Sequence, residues 1–184
     1  MTIRPYESKD RDNVRFVCLN SEGPCDMDEK GQHFILTTYC DYFIEKEPQN
    51  CFVAANENDD AVGYIICAES YDPYRLVFID EYVERIDEAD IGHRQGALNS
   101  TVLQNKYKNE YPAHLHIDLL PEYQRMGLGS KLVDTLCAHL KGKGIPGVML
   151  TVGSQNNVGQ SFYKKYGFTV LEESPGDVAF GIKL

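Results

Sequence analysis

From Ala113 to Leu119 apolar and polar side chains alternate, with Leu115, Ile117 and Leu119 set against His114, His116 and Asp118. That period of two predicts a half-buried strand. Past Pro121 the period changes: Leu128, Leu132, Val133, Leu136 and Leu140 recur at helical spacing, and Gly142 and Gly144 end the run. A strand, a turn built on Gly127 and Gly129, and an amphipathic helix are therefore predicted in succession.

Elsewhere the pattern predicts a short strand at residues 2–6 and a helix opened by Ser8 as N-cap, with Val14, Val17 and Cys18 on one face. A second helix carries Phe34, Ile35, Thr38 and Tyr42 and stops at Pro48. Two apolar runs around the polar loop "NENDD" predict a hairpin over residues 51–70. After the glycine turn and its helix come an apolar strand, "PGVMLTVG", and a helix with Val158, Phe162 and Tyr166 four apart and Gly167 at its C-cap. A closing hairpin turns at "SPGD". Residues 70–112 have poor periodicity and many charges; they are expected to form a partly helical insertion, since a structureless loop of that length is unusual in a compact domain. The mixed order of elements predicts an α/β (α+β) protein.

Length and composition narrow the class. A chain of 184 residues with 42% hydrophobic residues suits one domain, 1–184, better than two. No stretch approaches the ~18 apolar residues of a membrane span, and "MTIRPYESKD" has no apolar signal segment, which predicts a cytoplasmic protein with no membrane role. Six cysteines lie scattered without a C-x-x-C pair, so reduced, largely buried thiols are expected rather than zinc ligands or a disulfide framework. A formal charge of −10 argues against nucleic acid as a partner and suits a cationic substrate. Oligomeric state is left open by these features.

The glycine turn carries candidate chemistry. Where glycines lead into a helix, several backbone N–H groups converge on one point and the helix dipole favours negative charge, so a phosphate or pyrophosphate can be held. A Walker loop is excluded, because no glycine stands five residues before Gly129, and so is the dinucleotide fingerprint, because Leu132 stands where its third glycine belongs. Charge favours a polyanion here: between Gln124 and Gly144, Arg125, Lys131, Lys141 and Lys143 face only Asp134, a local +3 in a chain of −10.

Two motifs, on the expected elements and in order, carry a resemblance. "LLPEYQRMGLGSKLV" resembles the acyl-CoA-binding motif of the GNAT superfamily of N-acetyltransferases, [QR]-x-x-G-x-[GA], met by Gln124, Gly127 and Gly129. "NNVGQSFYKKYGF" is similar to that superfamily's second signature, met by Asn156, Tyr163, Gly167 and Phe168. The likeness covers the chain outside residues 70–112. Within it, "NEYPAHLHIDLLPEYQRMGLG" and "PGDVAFGIKL" resemble the acetyltransferase-like C-terminal domain of eukaryotic O-GlcNAcases and its stand-alone microbial relatives, without room here for a glycosidase domain.

The resemblance implies a mixed central sheet of about six to seven strands flanked by helices, with a splayed strand pair at the cofactor site. It implies acetyl-CoA as cosubstrate, held by Leu119, Leu120, Gln124, Arg125, Met126, Gly127, Leu128, Gly129, Ser130, Asn156 and Tyr163. The implied activity is acetyl transfer to a primary amine, of a small molecule or a lysine, by direct attack in a ternary complex. Such chemistry needs a base for an amine of pKa near ~10.4 and a donor to the leaving thiolate. Asp118, on the polar side of its strand, is the first candidate base and His116 the second. Tyr163 matches the family tyrosine that donates to sulfur, a transfer uphill by about 2 kcal/mol unless the phenol is acidified. Two other classes remain. "HLHID" is an H-x-H-x-D pattern that metallohydrolases use for metal ligands, which here would be His114, His116 and Asp118. A degenerate fold that binds without catalysis is the other.

Overall fold

Seven strands form where the apolar patterning lies: β1 (Thr2–Pro5), β2 (Phe52–Ala55), β3 (Ala61–Ala68), β4 (Ala113–Leu119), β5 (Gly147–Gly153), β6 (Thr169–Glu173) and β7 (Asp177–Lys183). The computed structural model describes residues 1–184. The strands make one mixed sheet in the order β1-β2-β3-β4-β5-β7-β6. Every neighbouring pair is antiparallel except β4 and β5. That parallel pair needs a crossover, supplied by the long helix Leu128–Gly142.

The sheet has a hydrophobic core on each face. Tyr64, Ile66 and Ala68 of β3 join Val14, Val17, Phe43 and Tyr74 in one, while Ile65 and Cys67 join Leu115, Leu132, Leu136 and Phe180 in the other. All eight residues of β3 are buried, which is why its sequence is apolar throughout rather than alternating. Burial on both faces also corrects the expectation for β4. At its start the polar side faces the first core instead of water, with the His114 ring buried against Tyr74 and Phe43, while His116 and Asp118 further along are half-buried.

Helices cover both faces. On the first lie α1 (Arg11–Asn20), α2 (Glu29–Leu36) and α3 (Tyr42–Lys46); on the second, the crossover helix and the helix Asn157–Tyr166. Ser8 does not cap α1. It begins a 3₁₀ turn, Ser8–Asp10, closed by a box between Glu7 and Asp10. The Asp10 carboxylate, held by both terminal nitrogens of Arg4 at 2.7 and 2.8 Å, is the stronger acceptor there. The second predicted helix is interrupted by a π-helical turn, Thr37–Asp41, between α2 and α3.

Residues 70–112 are helical. Here α4 (Tyr71–Val77) runs into a π turn, Phe78–Tyr82, and a 3₁₀ turn, followed by α5 (Ile91–Asn99) and α6 (Val102–Tyr107). Each change of helix type resets the period, so no 3.6-residue repeat survives in the sequence. The crossover helix is α7 and the last helix α8. Of the six free thiols, Cys40, Cys51 and Cys67 are buried and Cys18, Cys25 and Cys137 half-buried.

Candidate active site

Gly127 and Gly129 have separate tasks. Gly127 is the N-cap of α7 at φ 79°, in the left-handed region, and a Cβ there would meet nothing within 4 Å, so backbone conformation and not space favours glycine. At Gly129 a Cβ would come within 3.2 Å of Phe162 Cζ, so its absence lets α7 and α8 approach. Arg125, two residues before Gly127, is itself in the left-handed region at φ 61°. No side chain caps α7, which leaves the first amides of the helix, from Leu128 to Ser130, pointing out of its positive end. Gln124 pins the turn from behind: its Nε2 donates to Leu119 O at 2.9 Å and to Ser21 O at 2.8 Å.

The turn opens into a slot in the sheet. β4 and β5 pair only at Ala113 with Val148 and His114 with Met149, and beyond that the strands diverge. Leu120 N–H donates to Val62 O on the β3 side, so by alternation the main chain of Leu119 faces the gap left by β5. A cleft of about 960 Å³ fills that gap and runs to the turn. Of the sequence-predicted residues, His116, Asp118, Leu119, Gln124, Arg125, Gly127, Gly129, Ser130, Asn156 and Tyr163 line it. Three do not. Leu120 packs against the first core with its amide already used, the Leu128 side chain is buried in the second core, and Met126 projects into solvent. Only the Met126 and Leu128 amides remain near the site.

The model of the acetyltransferase (GNAT) family matches residues 16–168. The chain belongs to the GNAT family. Its fold is similar to the crystal structure of SsHAT, at 23% identity over 99% of this chain and 97% of that one, with a TM-score of 0.86. It is also similar to the PaiA N-acetyltransferase of Thermoplasma acidophilum in complex with coenzyme A, at 20% identity over 100% and 98% of the chains and a TM-score of 0.62. A third similar fold is an agmatine N-acetyltransferase, at 14% identity over 100% and 99% and a TM-score of 0.65. The match establishes the superfamily; the narrower likeness to O-GlcNAcase domains lies outside it.

Electrostatics single out one carboxylate in this GNAT protein. Asp118 Oδ2 accepts a 2.5 Å hydrogen bond from Tyr64 Oη. Burial lifts its pKa to about 6 against the opposing pull of Tyr64 and the nearby Ser21 hydroxyl, and the charge of Glu22 lifts it further. His116, packed edge-on against Tyr39 and Phe43, is pushed by burial down to about 4. Burial, with a smaller contribution from His116, takes His114 to about 3, and neither of its ring nitrogens has a hydrogen-bond partner. Nowhere do three or more His, Cys, Asp or Glu side chains converge as metal ligands, so the H-x-H-x-D pattern serves packing at His114 and the cleft wall at Asp118.

Tyr163 is 8% exposed, wedged between Phe162, Phe168 and Phe180, with its side chain on the cleft wall. Burial first, and then the Asp118 charge, raises its pKa above the usual phenol range, the reverse of the acidification expected of a proton donor to sulfur. Asn156 caps α8, its Oδ1 accepting from Gly159 N at 2.8 Å, while its amide nitrogen makes a long 3.5 Å contact with Glu22 Oε1. Several lining residues carry no sequence signal. Ser21 and Glu22, in the loop after α1 that Gln124 holds, reach the cleft, and Thr151 and Lys165 arrive by strand pairing and helix docking; Tyr64, fully buried, stands behind the wall and touches it only through Asp118.

Proposed function

We propose that the protein is an acetyl-CoA-dependent N-acetyltransferase that acts on a primary amine by direct attack in a ternary complex. The observation that carries this reading is the single cleft running from the uncapped N-terminus of α7 to the Asp118 carboxylate and the Tyr163 hydroxyl. The amides of the turn, with Arg125 and Ser130, suit the pyrophosphate. The Leu119 N–H, on the β5 side and without the partner that Gln124 gives its carbonyl, suits the pantetheine arm or the acyl carbonyl, where a donor stabilises developing negative charge. Residues 1–184 act as one domain in this reading, with 70–112 contributing to the acceptor side.

Asp118 takes the proton of the amine as its nitrogen bonds to the acyl carbon and the carbon–sulfur bond breaks. With a pKa of about 6 it is ionised at neutral pH yet a better base than an ordinary carboxylate. His116, near 4, is the weaker candidate. Tyr163 keeps its proton and hydrogen-bonds the leaving sulfur, which an unacidified phenol does well. Calorimetry with acetyl-CoA, followed by an amine panel read out by free thiol, tests the proposal. Micromolar binding with thiol release on adding an amine is expected; binding without release from any amine would leave a binding module.

A further inference from the structure

A second cavity of about 260 Å³ lies on the α1–α2 face of the sheet and shares His116, Asp118 and Thr151 with the cleft. The two chambers meet at these residues of β4 and β5, so the smaller one borders Asp118 as the cleft does. Its far wall comes from Asn99 and Ser100, at the junction of α5 and α6, and its floor from Asp177 at the start of β7.

Its chemistry is one-sided. No lysine or arginine lines this chamber, and His116 is held neutral by burial. Asp177 uses its main-chain N–H and C=O on Ser174, while its carboxylate forms no hydrogen bond and no ion pair. Among the carboxylates of the chain, many find a cation: Asp10, Asp41, Asp59, Asp72, Glu45 and Glu172 are all paired. Around Asp177 the wall offers acceptors and π-surface instead. The Ser100 hydroxyl spends its proton on Ala97 O and keeps its lone pairs, Asn99 Oδ1 takes one bond from Gln95, and the Tyr39 ring stands beside them. An ammonium group, with three donors and no acceptor, matches the Asp177 carboxylate, these acceptors and the ring face.

We infer that the acceptor is a small dicationic amine, one nitrogen presented to Asp118 for acetylation and the other held by Asp177, with the α5–α6 junction closing the chamber behind it. The inference rests on the transferase reading above. The reacting end must lose a proton and the distal end must keep one, so the two carboxylates have different tasks: Asp118 is half-buried with its pKa raised to about 6, while Asp177 stays exposed to water. The insertion thereby becomes the element that selects acceptor length.

Steady-state kinetics should be measured with α,ω-diamines and n-alkylamines of matched length, on the native protein and on Asp177→Asn. The native protein is expected to favour the diamine by ten-fold or more in kcat/KM, about 1.4 kcal/mol. In Asp177→Asn that ratio should fall toward one through a raised diamine KM, with the acetyl-CoA dissociation constant unchanged, and Asp177→Glu should restore part of the preference. Equal use of matched monoamines and diamines by the native protein overturns the inference, and so does transfer confined to lysyl peptides. Absence of acetyl-CoA binding, seen by calorimetry before any amine is added, is a separate result that removes the transferase reading and this inference with it.

Discussion

Tyr64 and Asp118 stand directly opposite one another on β3 and β4, and the Tyr64 hydroxyl donates to the Asp118 carboxylate at 2.5 Å. Tyr64 is fully buried, so the bond holds the carboxylate in one position at the slot. It also favours the ionised form.

The first prediction follows from that bond. If Asp118 is the base, kcat/KM should rise with pH through about 6 and level off above it, because only the carboxylate accepts a proton. Tyr64→Phe removes the donor that favours ionisation, so the inflection should move to higher pH, with activity lost more at pH 6 than at pH 8. A kcat/KM profile unchanged by Tyr64→Phe would refute the pairing as a pKa determinant.

Asp118→Asn should lose activity and gain stability. The carboxyl pKa is raised in the folded state, from 3.8 to about 6, so the folded protein binds a proton more tightly than the unfolded chain does. Asp118 therefore disfavours the fold increasingly as pH rises from about 4 to 6, and the cost is constant above that. Asparagine lacks it. Roughly 1–3 kcal/mol of added stability at pH 7–8, and little at pH 4, is expected from a shift of about two units. Turnover should drop while acetyl-CoA affinity stays within a few-fold, since the base acts on the amine. Thermal melts across pH 4–8 on both proteins check the sign; a variant destabilised at pH 8 would show that the hydrogen bonds to the carboxylate outweigh the cost of enclosing its charge.

Tyr163→Phe should keep the ring's packing on Phe162, Phe168 and Phe180 and, by removing a hydrogen bond to the developing thiolate, cut turnover by roughly 10²-fold, with cofactor binding nearly intact. Because its pKa is raised, the native enzyme should show no loss of activity between pH 8 and 10 from ionisation of this phenol. Melting temperature and rates belong on the same preparation. A destabilised but fully active variant would make Tyr163 a packing residue only.

Gly127→Asp should weaken acetyl-CoA binding ten-fold or more, about 1.4 kcal/mol, by setting a negative charge where the amides of α7 converge. Gly127→Asn is the matched control. Asparagine tolerates φ near 79° better than most residues and carries no charge, so it should bind far better than the aspartate variant. Equal dissociation constants for native and aspartate proteins would separate this turn from phosphate recognition.

What the chain determined by itself was local. The Gly127 turn, α7 with its apolar face, the hairpins and Gly167 at φ 118° follow from backbone freedom and from side-chain period, properties of neighbouring residues that no distant contact alters. Cleft residues that sit on those elements, such as Gln124, Gly127, Gly129 and Asn156, were legible for the same reason. The tertiary structure decided the rest. Whether Asp118 faces water or a core depends on which helices cover β4, and only that burial turns an ordinary strand aspartate into a base near pKa 6 and a strand histidine into an uncharged wall. Ser21, Tyr64 and Asp177 are separated in sequence from Asp118; strand pairing sets Tyr64 against its carboxylate, while loop docking and the closing hairpin bring Ser21 and Asp177 to its two chambers. Desolvation and charge proximity depend on distance in space, and distance in space is set by packing.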